Sequence, residues 1–483
     1  MSFRAYVIDE KIVKALELLG YKEPTKVQKE LIPVLLSGKD SIVKSRTGSG
    51  KTAAFAIPLC ERIDWEENRP QALVLTPTRE LAIQVKEEIF NVGRFKRLKV
   101  AALYGKSSYR HQVKEIKQKT HIVTGTPGRV IDHLENETLD VSAVRYLVID
   151  EADEMLEMGF VEQIEEILTF LPDDRVTVVL SATFPAEIRE LCHAYLKDPV
   201  SIEIQEDIKI TEKIIQRYYL TDEEEKEDLL EEVIITENPD TCIIFCAMKR
   251  TVDEVYEFLK DQEYSCGRIH GGMEQEDRLS VMKQFKEGRV RYLVATDVAA
   301  RGIDIEDVSL VVNFDMPRDK EGYIHRIGRT GRVEKTGKAI SFVTKSDARM
   351  LKQIEAYIDT TLEPINRIPK EQLDASRKTM EESIKDQPVK KKDKNIKLNQ
   401  DIMKIHINAG KKTKMRAVDI VGTLCNIDGM TADDIGVINI LDVSTFVEIL
   451  NGKGPMVLLA LQKKPIKGRI RKVKDETLGG DRL

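Results

Sequence analysis

Between Ser41 and about Ile204 the chain alternates short apolar, β-branched runs with stretches of helical character. The runs are SIVKS, QALVLTP, KVAALYG, HIVTGTP, YLVIDEA and VTVVLSATF. This strand, helix, strand order predicts a parallel sheet with helices on both faces. A second series, TCIIFC, SCGRIHG, RYLVATD, SLVVNFD and KAISFVT, begins near Thr241 and predicts a second domain of the same architecture, without a sequence repeat between the two. The segment RKTMEESIKDQPVKKKDKNIKLN is polar, Lys-rich and aperiodic, and predicts a linker or an extended helix rather than a core. Beyond it, KIHINAG, KMRAVDIVGTLCNI, DIGVINILD, TFVEIL, PMVLLALQK and GRIRKVK read β-α-β-β-α-β, the split βαβ plan. The expected division is a domain at 1–205, a connector at 206–212, a second domain at 213–370, a basic linker at 371–402, a small domain at 403–475 and a loose tail at 476–483.

At 483 residues the chain exceeds one ordinary core. Hydrophobic residues make up 41% and charged residues 33%, a globular rather than a disordered balance. No apolar run approaches the roughly 18 residues of a spanning helix. The opening MSFRAYVIDEKIVKALELLG lacks the order of a secretory signal, so a cytoplasmic location is expected. The cysteines, Cys60, Cys192, Cys242, Cys246, Cys266 and Cys425, are scattered and lie mostly in apolar segments. Buried reduced thiols are expected, and nothing completes a zinc set around Cys242 and Cys246. The net charge of −6 argues at first against a nucleic-acid partner. From Lys404 onward, however, about 14 Lys or Arg face about 9 Asp or Glu, so an acidic body carries a basic appendage.

Ser45-Arg46-Thr47-Gly48-Ser49-Gly50-Lys51-Thr52 follows a predicted strand and opens a predicted helix. That is the context of a phosphate-binding loop, where small residues let backbone N–H groups approach phosphate and the helix amino terminus adds positive potential. Lys51 suits the β- and γ-phosphates and Thr52 suits Mg²⁺. Ser45 stands where the usual spacing has glycine, and a glycine turn capping a helix is the alternative for this segment alone. Asp150-Glu151-Ala152-Asp153 follows the strand YLVI, at the end that faces the ligand crevice of a parallel sheet. There Asp150 suits Mg²⁺ and Glu151 the attacking water. A solvated helix start is the alternative for these four residues by themselves.

Together these residues resemble a DEAD-box RNA helicase, over nearly the whole of the two predicted α/β domains. Gly20-Tyr21-Lys22-Glu23-Pro24-Thr25-Lys26-Val27-Gln28 resembles the family's Q motif, and Phe3 its isolated upstream aromatic. The resemblance implies that Gln28 reads the adenine edge, which a side-chain amide can do with two hydrogen bonds, while Tyr21 and Phe3 pack nearby. Tyr323-Ile324-His325-Arg326-Ile327-Gly328-Arg329-Thr330-Gly331-Arg332 implies arginine fingers at Arg329 and Arg332, permanent charges suited to a transferring phosphoryl group. Gly302 and Asp304 match positions on the ribose side. Ser181-Ala182-Thr183 and His325 match positions that link ATP state to RNA binding. The implied catalytic residues are Lys51, Glu151, Arg329 and Arg332, and the implied cofactors are ATP and Mg²⁺.

Other strand-end loops match family segments that grip the sugar-phosphate backbone. These are Pro77, Thr78, Arg79, Gly105, Thr126, Pro127, Gly128 and Arg129 in the first domain, and His270, Gly271, Gln275, Arg278, Thr296 and Arg301 in the second. Such groups position a strand without reading its sequence. Two departures stand out: Gly105-Lys106 replaces a common double glycine, leaving Lys106 as a phosphate contact or a solvated charge, and Met248 replaces a polar residue expected to touch RNA. The C-terminal segment resembles the RNA-binding domain of the DbpA subfamily, above all through DDIGVINILDVSTFVEILNGKG. An RRM displays aromatics on its sheet. Here His406 and Phe446 qualify, and by strand alternation Phe446 could equally lie in the core. RNA contacts are therefore expected mainly on Lys411, Lys412, Lys414, Arg416, Lys467, Arg469, Arg471 and Lys472.

The expected fold is α/β, with two tandem RecA-like parallel-sheet domains plus a C-terminal RRM-like α+β domain. The implied function is that of an RNA-stimulated ATPase that unwinds short duplexes. The resemblance places it on a hairpin of large-subunit (23S) rRNA in pre-50S particles. No membrane is expected, and a monomer is favoured over an oligomer. The alternatives are an ATP-controlled RNA clamp, a general RNA chaperone in mRNA turnover or cold adaptation, and a DNA helicase.

Overall fold

The computed structural model describes residues 2–45, 48–204, 214–300, 305, 308–331, 337–384 and 396–477. The chain divides into two compact units, Met1–Ile204 with Asp393–Leu483, and Gln205–Lys392.

The first unit holds a seven-stranded sheet of β1 (Ser41–Lys44), β2 (Ala72–Leu75), β3 (Val100–Leu103), β4 (Ile122–Gly125), β5 (Tyr146–Ile149), β6 (Val176–Ser181) and β7 (Val200–Glu203). Its spatial order is β3-β4-β2-β5-β6-β1-β7, and every pairing is parallel. Successive strand residues point to opposite faces, so the apolar runs feed two cores. Ala72, Val74, Val148, Val178 and Leu180 enter one, covered by the helices Lys51–Arg62 and Arg79–Val92. Leu73, Leu75, Leu147, Ile149 and Val179 enter the other, covered by the helices Pro127–Glu135, Val161–Phe170 and Ala186–Tyr195. Burial on both faces is why these strands read as continuous apolar runs.

The second unit repeats the plan with β8 (Ile214–Leu220), β9 (Cys242–Cys246), β10 (Cys266–Ile269), β11 (Tyr292–Thr296), β12 (Leu310–Asn313), β13 (Gly337–Val343) and β14 (Glu363–Pro364), in the order β10-β11-β9-β12-β13-β8-β14. Again the pairings are parallel and the strand residues divide between two cores. Residues 370–384, within the segment read as linker or extended helix, form the helix Lys370–Ile384, whose Met380 is buried in a core of this unit with Leu373 half-buried beside it. Two apolar contacts a heptad apart in a polar helix give almost no periodic signal, so this packing was invisible in the sequence.

The C-terminal part of the first unit forms an antiparallel sheet of β15 (Met403–Ile407), β16 (Ile435–Ile440), β17 (Thr445–Ile449) and β18 (Val473–Asp475), ordered β16-β17-β15-β18. The helices Ala417–Cys425 and Gly454–Lys463 connect the strands in the expected β-α-β-β-α-β order. Ile405, Ile407, Val447 and Ile449 join Ile420 and Val457 in the core. Alternation therefore turns Lys404, His406, Phe446 and Glu448 to the opposite face.

Candidate ATP and RNA site

In the first unit the expected motifs other than the Q motif fall at the carboxyl edge of the parallel sheet, and the strand order sorts them into two groups. The neighbouring strands β5, β6 and β1 carry the acidic motif, Ser181-Ala182-Thr183 and the phosphate loop. The neighbouring strands β3, β4 and β2 carry Gly105, Thr126 to Arg129, and Pro77 to Arg79. Ligands of open α/β sheets bind along this edge.

The phosphate loop has the backbone its glycines suggest. Gly48 and Gly50 adopt φ of +78° and +92°, a region that costs other residues about 1–2 kcal/mol. A Cβ at Gly50 would stand 2.6 Å from Nε2 of Gln28, so side-chain crowding adds to the backbone requirement. The Ser45 hydroxyl donates to the Ser49 hydroxyl at 2.7 Å, and the buried Lys51 ammonium donates to the Ser45 carbonyl at 3.0 Å. Thr52 is half-buried on the first turn of the helix Lys51–Arg62. Thr47 lies outside the described residues.

Gln28 ties the Q motif to this loop. It is buried as the third residue of the helix Lys26–Leu36. Its Oε1 accepts from the Thr25 N–H at 3.0 Å, while its Nε2 donates to the Gly50 carbonyl at 3.1 Å. Phe3 and Tyr21 meet edge to face with ring centroids 6.2 Å apart, and the Tyr21 hydroxyl donates to Glu88 at 3.0 Å.

Across the strand order, burial pushes the Asp150 carboxyl up from its ordinary value, against the pull of the Lys51 ammonium and of the Glu151 N–H, which donates to it at 3.0 Å. Glu151 is buried and caps the helix Ala152–Glu157 at φ 54°, ψ 52°. A left-handed glutamate is strained, and such strain gathers at functional sites. Asp153 adds a junction the sequence reading did not single out. Its Oδ2 accepts from the Thr183 N–H at 2.8 Å and from the Thr183 hydroxyl at 2.9 Å, and the Asp153 N–H donates to the Ser181 hydroxyl at 3.1 Å. The last acidic residue of one motif thus locks the serine-alanine-threonine motif, with Ala182 carried between its two bonded neighbours. Partners about 30 residues apart carry no local sequence signal; an acid in one motif and a hydroxyl in the other is the clue.

The second group is held as firmly. Thr78 caps the helix Arg79–Val92 by accepting from the Leu81 N–H, and the Arg79 guanidinium lies over Gly105, where a Cβ would be 3.4 Å from Nη2. Lys106 adopts φ 56°, a backbone region that glycine enters more easily. Thr126 and Pro127 start the helix Pro127–Glu135, with proline in the first turn where its missing N–H costs nothing. Gly128 faces Gln163. Arg129 donates to Gln112 Oε1 at 3.0 Å and pairs with Asp132 at 3.2 Å.

In the second unit, His270 follows β10 and Thr296 ends the neighbouring β11. His270 Nδ1 accepts from the Gly272 N–H at 3.1 Å, which leaves Nε2 to donate to Asp253 at 3.1 Å. Gly271 follows in the same turn, and Gln275 and Arg278 lie on the first turns of the helix Gln275–Lys286. Met248, 60% exposed, caps the next helix without a side-chain bond, so the position offers apolar surface where a polar contact was looked for. His325 lies in the last turn of the helix Lys320–Ile327, and Arg329 is buried just after it. Arg326, to which the sequence reading gave no role, is fully buried: it pairs doubly with Asp297, at 2.7 Å through Nη2, and donates to the Asp315 carbonyl at 2.6 Å. It anchors the arginine motif to the ends of β11 and β12. Arg301, Gly302, Asp304 and Arg332 lie outside the described residues.

In the C-terminal domain the open sheet face resolves the question of Phe446. Its ring lies 5.0 Å from that of His406, at 36°, with the Lys404 ammonium 5.3 Å from its centroid. This is a small aromatic, basic platform of the kind on which bases stack. The basic residues differ among themselves. Lys411 and Lys412 are exposed on a short turn, whereas Arg416 and Lys467 both pair with Asp419, at 3.3 and 3.1 Å. Those two bonds hold the Asp419 carboxyl below its ordinary value. Lys414, Arg469, Arg471 and Lys472 complete the expected set on neighbouring loops, with Arg471 half-buried.

Three family models match the chain: DEAD/DEAH box helicase over residues 25–191, Helicase conserved C-terminal domain over 225–334, and DbpA RNA binding domain over 404–475. The chain is 54% identical over 471 residues to the ATP-dependent RNA helicase DbpA of Bacillus subtilis (strain 168), covering 98% of each chain. It belongs to the DEAD-box RNA helicases of the DbpA subfamily. The DEAD-box helicase CshA of Geobacillus kaustophilus (strain HTA426) is 44% identical over 73% of this chain and 76% of its own. A structure of Dbp5 from S. cerevisiae bound to RNA and ADP BeF3 superposes with a TM-score of 0.69 and 32% identity, over 79% of this chain and 99% of that one. As a DbpA-subfamily helicase the chain is an RNA-stimulated, ATP-dependent helicase, with two RecA-like domains and a DbpA-type RNA-binding domain. Among the described residues no helix is long and apolar enough to cross a membrane, and no group of three or more His, Cys, Asp or Glu is set to hold a metal.

Proposed function

We propose that this helicase opens short RNA duplexes locally and that its C-terminal domain directs it to a hairpin of 23S rRNA in pre-50S particles, during ribosome assembly in the cytoplasm. A single chain is the working unit. The observation that supports the reading is that the motifs expected to hold nucleotide fall on β5, β6 and β1 and those expected to hold RNA on β3, β4 and β2, in a chain that also carries a DbpA-type RNA-binding domain.

The residues fit ATP with Mg²⁺: a cradle closed to any Cβ at Gly50, a buried ammonium at Lys51, and a carboxyl at Asp150 whose burial favours gaining a cation. The Thr52 hydroxyl and Asp150 would hold Mg²⁺, which supplies positive charge to the phosphates when bound. Gln28 trades its bonds to Thr25 and Gly50 for the adenine edge. Lys51 leaves the Ser45 carbonyl to orient the terminal phosphates, and Glu151 holds the attacking water from a backbone that fixes its direction. Arg329 and Arg332 offset the charge that develops on the transferring group, a service worth about 10³–10⁵ in rate in related enzymes. The Asp153 to Thr183 junction ties the acidic motif to Ser181-Ala182-Thr183 within the nucleotide half, and through that motif would pass the ATP state on to bound RNA. Phosphate-directed loops hold RNA without regard to sequence, so selection falls to the C-terminal domain.

Single-turnover strand release from a short duplex joined to the 23S hairpin tests this reading. Release that needs ATP and is accelerated by the attached hairpin is the expected result. Retention of RNA without strand release would establish a clamp instead.

A further inference from the structure

The C-terminal domain is counted with the first motor domain in one compact unit, although the chain reaches it only after passing through the second. The surface between the two parts has an apolar centre and a charged surround. At the centre, Phe95 and Ala15 of the motor domain meet Leu398, Ile402 and Leu450 in a core separate from those of either sheet. Beside it the Arg94 guanidinium donates to Glu448 Oε1 at 2.9 Å and to Asn399 Oδ1 at 2.7 Å. The two side chains of this ion pair are only 11% and 12% exposed. Burying a carboxylate without its partner is strongly unfavourable, so Arg94 and Glu448 each depend on the other part being present.

Among the described residues the polar contacts around this centre run in the same sense. The motor side supplies cations: Lys11 pairs with Asp433 at 3.3 Å, Lys14 donates to Asn451 at 3.1 Å, Lys99 donates to the Ile438 carbonyl at 2.7 Å, and Arg97 donates to the Ala432 carbonyl. The C-terminal side supplies acceptors. A domain that is basic as a whole thus turns an acidic, carbonyl-rich edge to the motor, and that edge includes β16, an outer strand whose free carbonyls would otherwise invite mispairing. Opposite charge across a surface fixes register and excludes other orientations.

The register of the C-terminal sheet shows what this arrangement leaves available. Glu448 pairs with Lys404, and Phe446 with His406 two residues along, all on the open face. Docking occupies the Glu448 end of that face and leaves the Phe446 and His406 rings beside it. The geometry points to a built-in seat: the C-terminal domain rides on the first motor domain as one body, through Arg94 and Glu448, and this seat couples RNA held by the C-terminal domain to the motor. The coupling rests on the proposed hairpin recognition; the seat does not.

The test uses the full-length chain and the charge swap. Hydrogen exchange is followed in residues 90–100 and 396–402 without RNA. ATPase is then measured against a 23S hairpin fragment and against an unstructured RNA of equal length. Arg94→Glu is expected to raise exchange in both segments and to raise the hairpin concentration for half-maximal stimulation at least ten-fold, while basal ATPase and the response to unstructured RNA stay unchanged. Arg94→Glu/Glu448→Arg is expected to restore protection and hairpin response together, which also establishes that the variants fold. Unchanged exchange in Arg94→Glu, or no recovery in the double variant, overturns the seat. Exchange that follows the prediction while the two RNAs stimulate the unaltered chain equally overturns the coupling and the hairpin reading, and leaves the seat standing.

Discussion

The edge of the first sheet proposed to hold nucleotide and the C-terminal surface proposed to hold RNA solve opposite problems. At the first, Lys51, Asp150, Glu151 and Asp153 are all buried: Lys51 is held by the Ser45 carbonyl, Asp150 by the Glu151 N–H, and Asp153 by Thr183 beyond the neighbouring strand. At the second, Lys411 and Lys412 are exposed on a turn, Arg416 and Lys467 share Asp419, and a pair of rings offers a half-buried platform. Phosphoryl transfer depends on groups held where charge will develop, so burial and strain are tolerated there. Holding a folded RNA depends on area and positive charge, which solvated side chains on loops can supply.

Three perturbations sharpen this contrast. The largest effect is expected for Lys51→Ala, which should lower ATPase by about 10²–10³, as for loss of one preorganised charge-stabilising donor. RNA affinity of the C-terminal domain, measured by filter binding without ATP, should stay within about two-fold. Parallel loss of both would mean that the two regions are not separate in function. Next, two positions on opposite faces of β17 should part company. Ile449→Ala should destabilise the domain by about 2–5 kcal/mol in denaturant titration, whereas Phe446→Ala should leave stability nearly unchanged and weaken hairpin binding by about 1–3 kcal/mol. An unaltered affinity in Phe446→Ala would remove the aromatic platform from the account.

The smallest effect concerns acid. His121 accepts from the Lys99 N–H and His133 lies between Thr138 and Gln112, and burial pushes both imidazoles down to about 4. With folded values below the unfolded value near 6.5, both rings are neutral in the fold, and the unfolded chain takes up more protons as pH falls. Stability of the first motor domain should therefore drop between pH 7 and pH 5 by about 2 kcal/mol for each ring. Thermal unfolding across that range checks it, and the drop should shrink in His121→Gln. In the C-terminal domain, burial also lowers His406, but it is more exposed and should contribute less.

The same contrast explains what could be read in advance. Both parallel sheets were legible because strands buried on two faces leave continuous apolar runs such as YLVI and CIIFC. The phosphate loop and the acidic motif were legible because their chemistry restricts residue type at each position. Asp153 and Arg326 were not assigned roles, because each acts through a partner brought near by the sheet order: Thr183 is 30 residues from Asp153 and Asp297 is 29 from Arg326. Phe446 stayed ambiguous until the register of β15 and β17 fixed its face. The pairing of Arg94 with Glu448 spans 354 residues and joins two positions that each resemble ordinary surface charge.

The central claim, that a general RNA motor is directed by its C-terminal domain, is tested most directly by comparing ATPase stimulation by a 23S hairpin fragment with that by an unrelated RNA of equal length. The account predicts strong preference for the hairpin, abolished by removing the residues after Lys404 while basal ATPase survives. Equal stimulation by the two RNAs in the intact chain would contradict it.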